Sequence, residues 1–107
     1  MANFANHKLH GERLYLYKNG QMKERRFYQH GKRQGQQFLY DANGQLVSMQ
    51  AYEGGELNGK QLHYQENGKV GREEAYRDGK KHGKQLHFYE NGQVKREEFY
   101  ENGFKDG

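Results

Sequence analysis

The sequence predicts an all-β fold: an elongated antiparallel β-meander solenoid of tandem 24-residue β-hairpins, forming a single-layer twisted sheet. Three observations lead there. Glycines recur at a fixed spacing, aromatic and apolar residues recur with them, and the composition cannot fill a globular core. Gly11, Gly35, Gly59, Gly83 and Gly107 fall 24 residues apart, as do Gly20, Gly44, Gly68 and Gly92, each preceded by Asn. Gly31, Gly55, Gly79 and Gly103 form a third register, and Phe4, Tyr28, Tyr52, Tyr76 and Tyr100 a fourth. Leu14, Phe38, Leu62 and Leu86 keep the same period, as do Leu16, Tyr40, Tyr64 and Phe88, and Met22, Leu46, Val70 and Val94. Registers held without an insertion are the mark of a repeat architecture.

Composition explains why the chain must build outward from repeats. Hydrophobic residues are 32% of the 107 and charged residues 30%, with no Ile, so a compact globule would lack a core. Aromatics at 14%, Gly at 15 residues and no Pro argue equally against disorder and suit tight-turned β-structure. The chain divides into a partial unit at 1–10 and repeats at 11–34, 35–58, 59–82 and 83–106, together one domain.

Each unit reads as strand, Asn-Gly turn, strand and a G-x-x-x-G connection. Asn-Gly between alternating segments signals a hairpin, because both residues tolerate positive φ. In the last unit a three-residue loop, Glu90-Asn91-Gly92 with Gly92 in a left-handed bulge, pairs Phe88 with Val94. That register is expected because it gathers the apolar set, placing Leu86, Phe88, Val94 and Tyr100 on one face. Units stack roughly 9.5 Å apart, two strand spacings, and each is stabilised mainly by its neighbours.

The segment from Gly79 to Gly107, GKKHGKQLHFYENGQVKREEFYENGFKDG, resembles the MORN repeat variant typical of bacterial proteins described as YwqK-type antitoxins. Its carriers are G-K-x-x-G, an aromatic pair, E-N-G-Q-hydrophobic-K, a charged strand and Y-x-x-G. The likeness extends from Phe4 to Gly107, with departures at Gly71 and Ala75 and in the apolar run Leu46-Val47-Ser48-Met49. The resemblance implies an antiparallel meander without enzymatic activity, used as a binding scaffold. In its antitoxin form such a protein would mask a toxin inside the producing cell. Other MORN arrays dimerise, engage proteins or have been proposed to bind phosphoinositide membranes.

Catalysis and metal chemistry find little support in the residues. Ser48 is the only Ser, it sits mid-strand, and Thr and Cys are missing, so an activated nucleophile is not expected. The adjacent pairs Glu73-Glu74 and Glu97-Glu98 point to opposite faces of a strand, beside Arg72 and Arg96. His63 and His87 share a register, as do His10 and His82, but repeat spacing is poor for a shared zinc with ligands about 2.0–2.1 Å away. No cofactor is expected.

Two binding surfaces are expected. Residues 1–33 hold eight Lys/Arg and two acids, whereas 34–107 hold ten and twelve. The basic end carries Lys23, Arg25, Arg26, Lys32 and Arg33, and would attract an acidic protein or, as second choice, phospholipid headgroups. Nucleic acid is disfavoured because the basic register does not recur in every unit. The aromatic surface comprises Tyr28, Tyr40, Tyr52, Tyr64, Tyr76, Phe88 and Tyr100, expected to line one face where cross-strand packing and recognition coexist. Unpaired edge strands offer a route to homo-oligomers. With no basic-then-apolar leader pattern at the start, the expected compartment is the cytoplasm.

Overall fold

The computed structural model describes residues 2–5 and 8–106, with side chains from 11 to 105. The side chains of Phe4 and His10, and Gly107 at the start of a fifth unit, lie outside the described residues. The strands are β1 (Ala2–Ala5), β2 (Lys8–Leu16), β3 (Met22–Gln29), β4 (Lys32–Arg33), β5 (Gly35–Tyr40), β6 (Leu46–Glu53), β7 (Glu56–Leu57), β8 (Gly59–Tyr64), β9 (Val70–Arg77), β10 (Lys80–Phe88), β11 (Val94–Glu101) and β12 (Phe104–Asp106). All join one sheet in the order β1-β2-β3-β5-β6-β8-β9-β10-β11-β12, with the short β4 and β7 added onto β3 and β6. Every pairing is antiparallel. The molecule measures 46 × 34 × 14 Å, the shape of a single-layer sheet.

The Asn-Gly loops have the expected three-residue form. Tyr89 N–H donates to Gln93 O at 2.8 Å, Gly92 N–H donates to Tyr89 O at 2.9 Å, and Phe88 stands opposite Val94. Gly92 has φ +91°, which L side chains rarely adopt, so this position requires Gly. Asn91 does not share that conformation. Its Oδ1 instead accepts from Gln93 N–H at 2.9 Å, as Asn19 does from Gln21 and Asn67 from Lys69. The tips also grip the next repeat: Asn19 Nδ2 donates to Ala42 O and Asn67 Nδ2 to Glu90 O.

A second irregularity follows each loop. Phe88 faces Val94 but His87 faces Arg96, so Lys95 is an extra residue on β11. Lys23, Val47 and Gly71 hold the same place in earlier units. A one-residue bulge reverses which face each later side chain occupies. Leu86, Phe88 and Val94 therefore share a face as expected, but Tyr100, opposite Gly83, lies on the other. Gly71 is the bulge residue over which Gln65 folds: a Cβ there would meet Gln65 Cγ at 2.9 Å, and Gln65 Nε2 donates to Val70 O and Tyr89 O.

The connections between units are hairpins in their own right. His30-Gly31, Gly54-Gly55, Asp78-Gly79 and Asn102-Gly103 have both residues at positive φ, the pattern of a type I′ turn. Successive turns are stitched by Gly55 N–H to Arg33 O at 3.0 Å, Gly79 N–H to Leu57 O at 2.9 Å and Gly103 N–H to Lys81 O at 2.8 Å.

No hydrophobic side chain is buried among the described residues; the buried ones are Gln37, Ser48, Gln61, Glu74 and Gln85. The glutamines repair the sheet where the connection forces adjacent strands out of register. Ala51 N–H donates to Gln61 Oε1 at 2.8 Å, while Gln61 Nε2 donates to Ala51 O at 3.1 Å and Gly59 O at 3.2 Å. Gln37 does the same for Phe27, and Gln85 donates to Ala75 O at 2.9 Å. The side-chain amide thus stands in for a peptide group, satisfying backbone atoms that would otherwise be unpaired. Gln61→Met keeps the length but removes these bonds, and is expected to lower stability by about 1–3 kcal/mol in urea denaturation. Gln36→Met, one residue from Gln37 but exposed, is expected to change stability by less than about 0.5 kcal/mol.

Candidate interaction faces

The bulges sort the sheet's side chains onto two unlike surfaces. Cross-strand partners share a face and neighbours along a strand alternate. One face, here the leucine face, carries Leu14, Leu16 and Met22 in the first unit, Phe38, Tyr40, Leu46 and Met49 in the second, Leu62, Tyr64 and Val70 in the third, and Leu86, Phe88, Val94 and Phe99 in the last. The other, here the glutamine face, carries Gln37, Gln61 and Gln85 with Tyr28, Tyr52, Tyr76 and Tyr100. The seven aromatics expected on one face are therefore divided. Tyr40, Tyr64 and Phe88 lie on the leucine face and the other four on the glutamine face, because the bulge intervenes between the two registers.

The basic end is divided as well. Arg25 is on the leucine face, paired with Glu12 and stacked on Phe27 at 5.7 Å. Lys23 is a bulge residue whose Nζ sits 5.8 Å from the Tyr17 ring, and the Lys32 stem runs alongside Gly55 in the neighbouring turn. Only Arg26 and Arg33 come together, around Glu24, at 2.8 and 3.2 Å. Arg26 Nη1 also donates to the Tyr15 and Tyr28 hydroxyls at 3.3 Å, and Arg33 Nη1 to the Tyr52 hydroxyl at 2.7 Å. The Glu24 hydrogen bond raises the Arg26 pKa further. Burial opposes ionisation of the Tyr28 phenol, but the hydrogen bonds from Arg26 and Arg33 outweigh it and hold that phenol below the usual tyrosine value.

The same construction recurs where sequence reasoning did not find it. Glu74 lies 3.2 Å from His63, 3.7 Å from Arg72 and 3.5 Å from Lys81. Glu98 lies 3.6 Å from His87, 3.6 Å from Arg96 and 2.9 Å from Lys105. Glu24-x-Arg26 in the first unit becomes Arg72-x-Glu74 and Arg96-x-Glu98 later, so the order of charges is exchanged while the cluster persists. Arg33, Lys81 and Lys105 supply the register that recurs, each opposite a Tyr in the connecting hairpin. The second unit holds Leu39, Ser48, Gln50 and Leu57 at these positions, none of them charged.

On the glutamine face Arg13, Arg26, Arg33, Arg72, Lys81, Arg96 and Lys105 oppose only Glu24, Glu74 and Glu98. That surplus equals the formal net charge of +4 of the whole chain. On the leucine face Glu12, Glu73 and Glu97 balance Arg25, Lys60 and Lys84. Solvent-exposed pairs of this kind add little stability; their effect is to hold long side chains in a fixed array. Ser48 is buried on the glutamine face between its cross-strand neighbours Leu39 and His63, and the His63 imidazole is engaged by Glu74. His63 and His87 each meet a glutamate, His82 Nδ1 accepts from Asn102 N–H, and no three metal-ligating side chains converge among the described residues.

The MORN repeat variant profile matches residues 9–30, 33–53 and 81–102. The chain belongs to the MORN repeat variant family. Residues 54–80, between the matched segments, contain the departures at Gly71 and Ala75, yet β8 and β9 pair in the same register as the matched units. MORN repeats build binding scaffolds, and the family is generally non-enzymatic. A comparison with curated proteins gives no match.

His87 reports on the last cluster. Burial, then the positive charge of Arg96, lowers its pKa below the ordinary histidine value. The folded state thus binds this proton less readily than the unfolded chain. The associated stability is complete above the ordinary histidine pKa and is lost as pH falls below it. NMR titration is expected to place the His87 midpoint below that of an unstructured histidine, and Arg96→Gln is expected to move it upward.

Proposed function

We infer that the chain is a non-enzymatic protein-binding scaffold that presents its glutamine face to a partner with an acidic surface. One observation carries this reading: the whole surplus of positive charge, ordered by three glutamates and interleaved with half-buried Tyr, lies on one side of a thin sheet. Preordered aromatic and Arg groups lose little freedom on binding, and such residues dominate protein recognition. The hollows at Gln65, Glu66, Asn67 and Glu90 and at Glu101, Asn102, Phe104 and Lys105 are open surface depressions between loop residues, suited to contact and not to enclosing a small substrate.

Within that class, the antitoxin or immunity role is the finer reading. A cytoplasmic scaffold that covers the working surface of a toxin needs area, rigidity and charge complementarity, and no chemistry of its own. The sequence pattern of the last unit supports this choice over other scaffold roles. A flat cationic face would also attract anionic headgroups, so the membrane-adaptor reading is retained as the alternative outcome of the test.

Arg33→Gln/Lys81→Gln/Lys105→Gln removes three of the cations without touching the buried glutamines. Calorimetry with a protein captured on the chain in the producing cells is expected to show at least about tenfold weaker binding by this variant. Growth rescue against a toxin encoded beside the chain should fall with it. Binding to phosphatidylserine vesicles at physiological salt, with no loss of protein binding in the triple variant, would transfer the glutamine face to the membrane reading.

A further inference from the structure

Directly paired positions place Ser48, His63, Arg72, His87 and Arg96 in one line across the glutamine face, one residue from each of β6, β8, β9, β10 and β11. After the uncharged Ser48, imidazole and guanidinium alternate over three strand spacings, roughly 14 Å. The acids that accompany them are recessed. The Glu74 and Glu98 side chains are 12% and 16% exposed, whereas those of Arg72 and Arg96 are 45% and 61% exposed. A partner approaching this line therefore meets nitrogen before it meets carboxylate.

The imidazoles set how much of the line is charged. His87 stands between Arg72 on β9 and Arg96 on β11, with Arg96 Nη2 3.4 Å from its Nε2. Glu74 and Glu98 face it from the same two strands, Glu98 at 3.6 Å and itself held by Lys105 of β12 at 2.9 Å. Burial and then Arg96 disfavour the imidazolium more than these glutamates favour it. His63 faces the uncharged Ser48 on β6 and, on β9, Arg72 and Glu74, the latter at 3.2 Å and shared with Lys81 of β10. A protonated ring beside guanidinium groups is stabilised by a further anion, and an incoming carboxylate supplies one.

We propose that the line His63-Arg72-His87-Arg96 is the docking site for an acidic segment of the partner, which is captured together with protons on the two imidazoles. This site rests on the glutamine-face reading and locates the contact within it. Protonation turns two cations in a row into four. By linkage, a ligand that prefers the protonated row also strengthens proton binding to it. Capture tightens as pH falls, until the carboxylates of the ligand are themselves protonated. The first two units lack this response, because Tyr15 and Leu39 hold the histidine position.

Fluorescence anisotropy of a labelled oligo-glutamate peptide with the intact chain tests both halves. Affinity is expected to rise roughly tenfold from about pH 7.5 to about pH 5.5. The NMR midpoint of His87 is expected to move upward when the peptide is bound, while that of His82, whose Nδ1 accepts from Asn102 N–H at the turn edge, stays in place. Arg72→Gln/Arg96→Gln should weaken binding at least about tenfold at the lower pH. His63→Gln/His87→Gln should flatten the pH dependence with the β-sheet circular dichroism spectrum retained, and His82→Gln should leave that dependence intact. Equal binding at both pH values, or a His87 midpoint that ignores the peptide, overturns proton-coupled capture and leaves the glutamine-face reading standing. Binding lost in Arg33→Gln/Lys81→Gln/Lys105→Gln but kept in Arg72→Gln/Arg96→Gln moves the contact off the line and overturns this site alone. Absence of binding at either pH also overturns the site, and the glutamine-face reading is then decided by the captured partner.

Discussion

The unpaired residue after each hairpin loop, at Lys23, Val47, Gly71 and Lys95, is the constraint on which the rest of the structure depends. The three-residue loop alone would place Val94 and Tyr100 on one side, leaving a mixed aromatic face. One extra residue moves Tyr100, Glu98 and Arg96 to the side of Gln85 and leaves Leu86, Phe88 and Val94 opposite. The apolar stripe and the surplus of positive charge are placed on opposite faces by that single step. Because the bulge recurs with the repeat, the segregation runs the length of the sheet.

Glutamine does the work that an apolar core does elsewhere. Each type I′ connection shifts the register between units and opens a gap in the ladder, and an unpaired peptide group there would be costly. Gln37 and Gln61 close the gap with donor and acceptor together. A residue with only one of these functions could satisfy only half of it. The energetic unit is thus the junction between repeats, consistent with a solenoid in which cohesion is a nearest-neighbour property. The tips add to it through Tyr17 Oη donating to Tyr40 O and Gln65 Nε2 to Tyr89 O.

Repeat period, hairpin order and loop type were legible in the sequence because they depend on local signals: Gly at positive φ and apolar alternation. The face assignment was not legible, since a bulge leaves no residue signature; Lys, Val, Gly and Lys occupy it in turn. The glutamine register was visible as Gln37, Gln61 and Gln85 but reads as ordinary polar surface until the opened ladder shows what it fills. Summed along the chain, the charges place the basic patch at one end. In the later units Arg72 and Arg96 are each followed by a glutamate that lies on the opposite face, Glu73 and Glu97, so their charge cancels in the sum and not in space.

The second unit, uncharged at the cluster positions of the glutamine face, gives the cationic face a spacing. Leu39, Ser48, Gln50 and Leu57 separate the cluster around Glu24 from that around Glu74, two units or about 19 Å away. An acidic surface engaging both clusters must present carboxylates that far apart with uncharged groups between them. A diffuse anionic surface such as a bilayer makes no such demand and would be served equally by an unbroken row of cations. On the proposed reading of the glutamine face, the interruption favours a folded partner with fixed charges and would place selectivity in the unit that departs from its neighbours while the recurring residues hold the sheet.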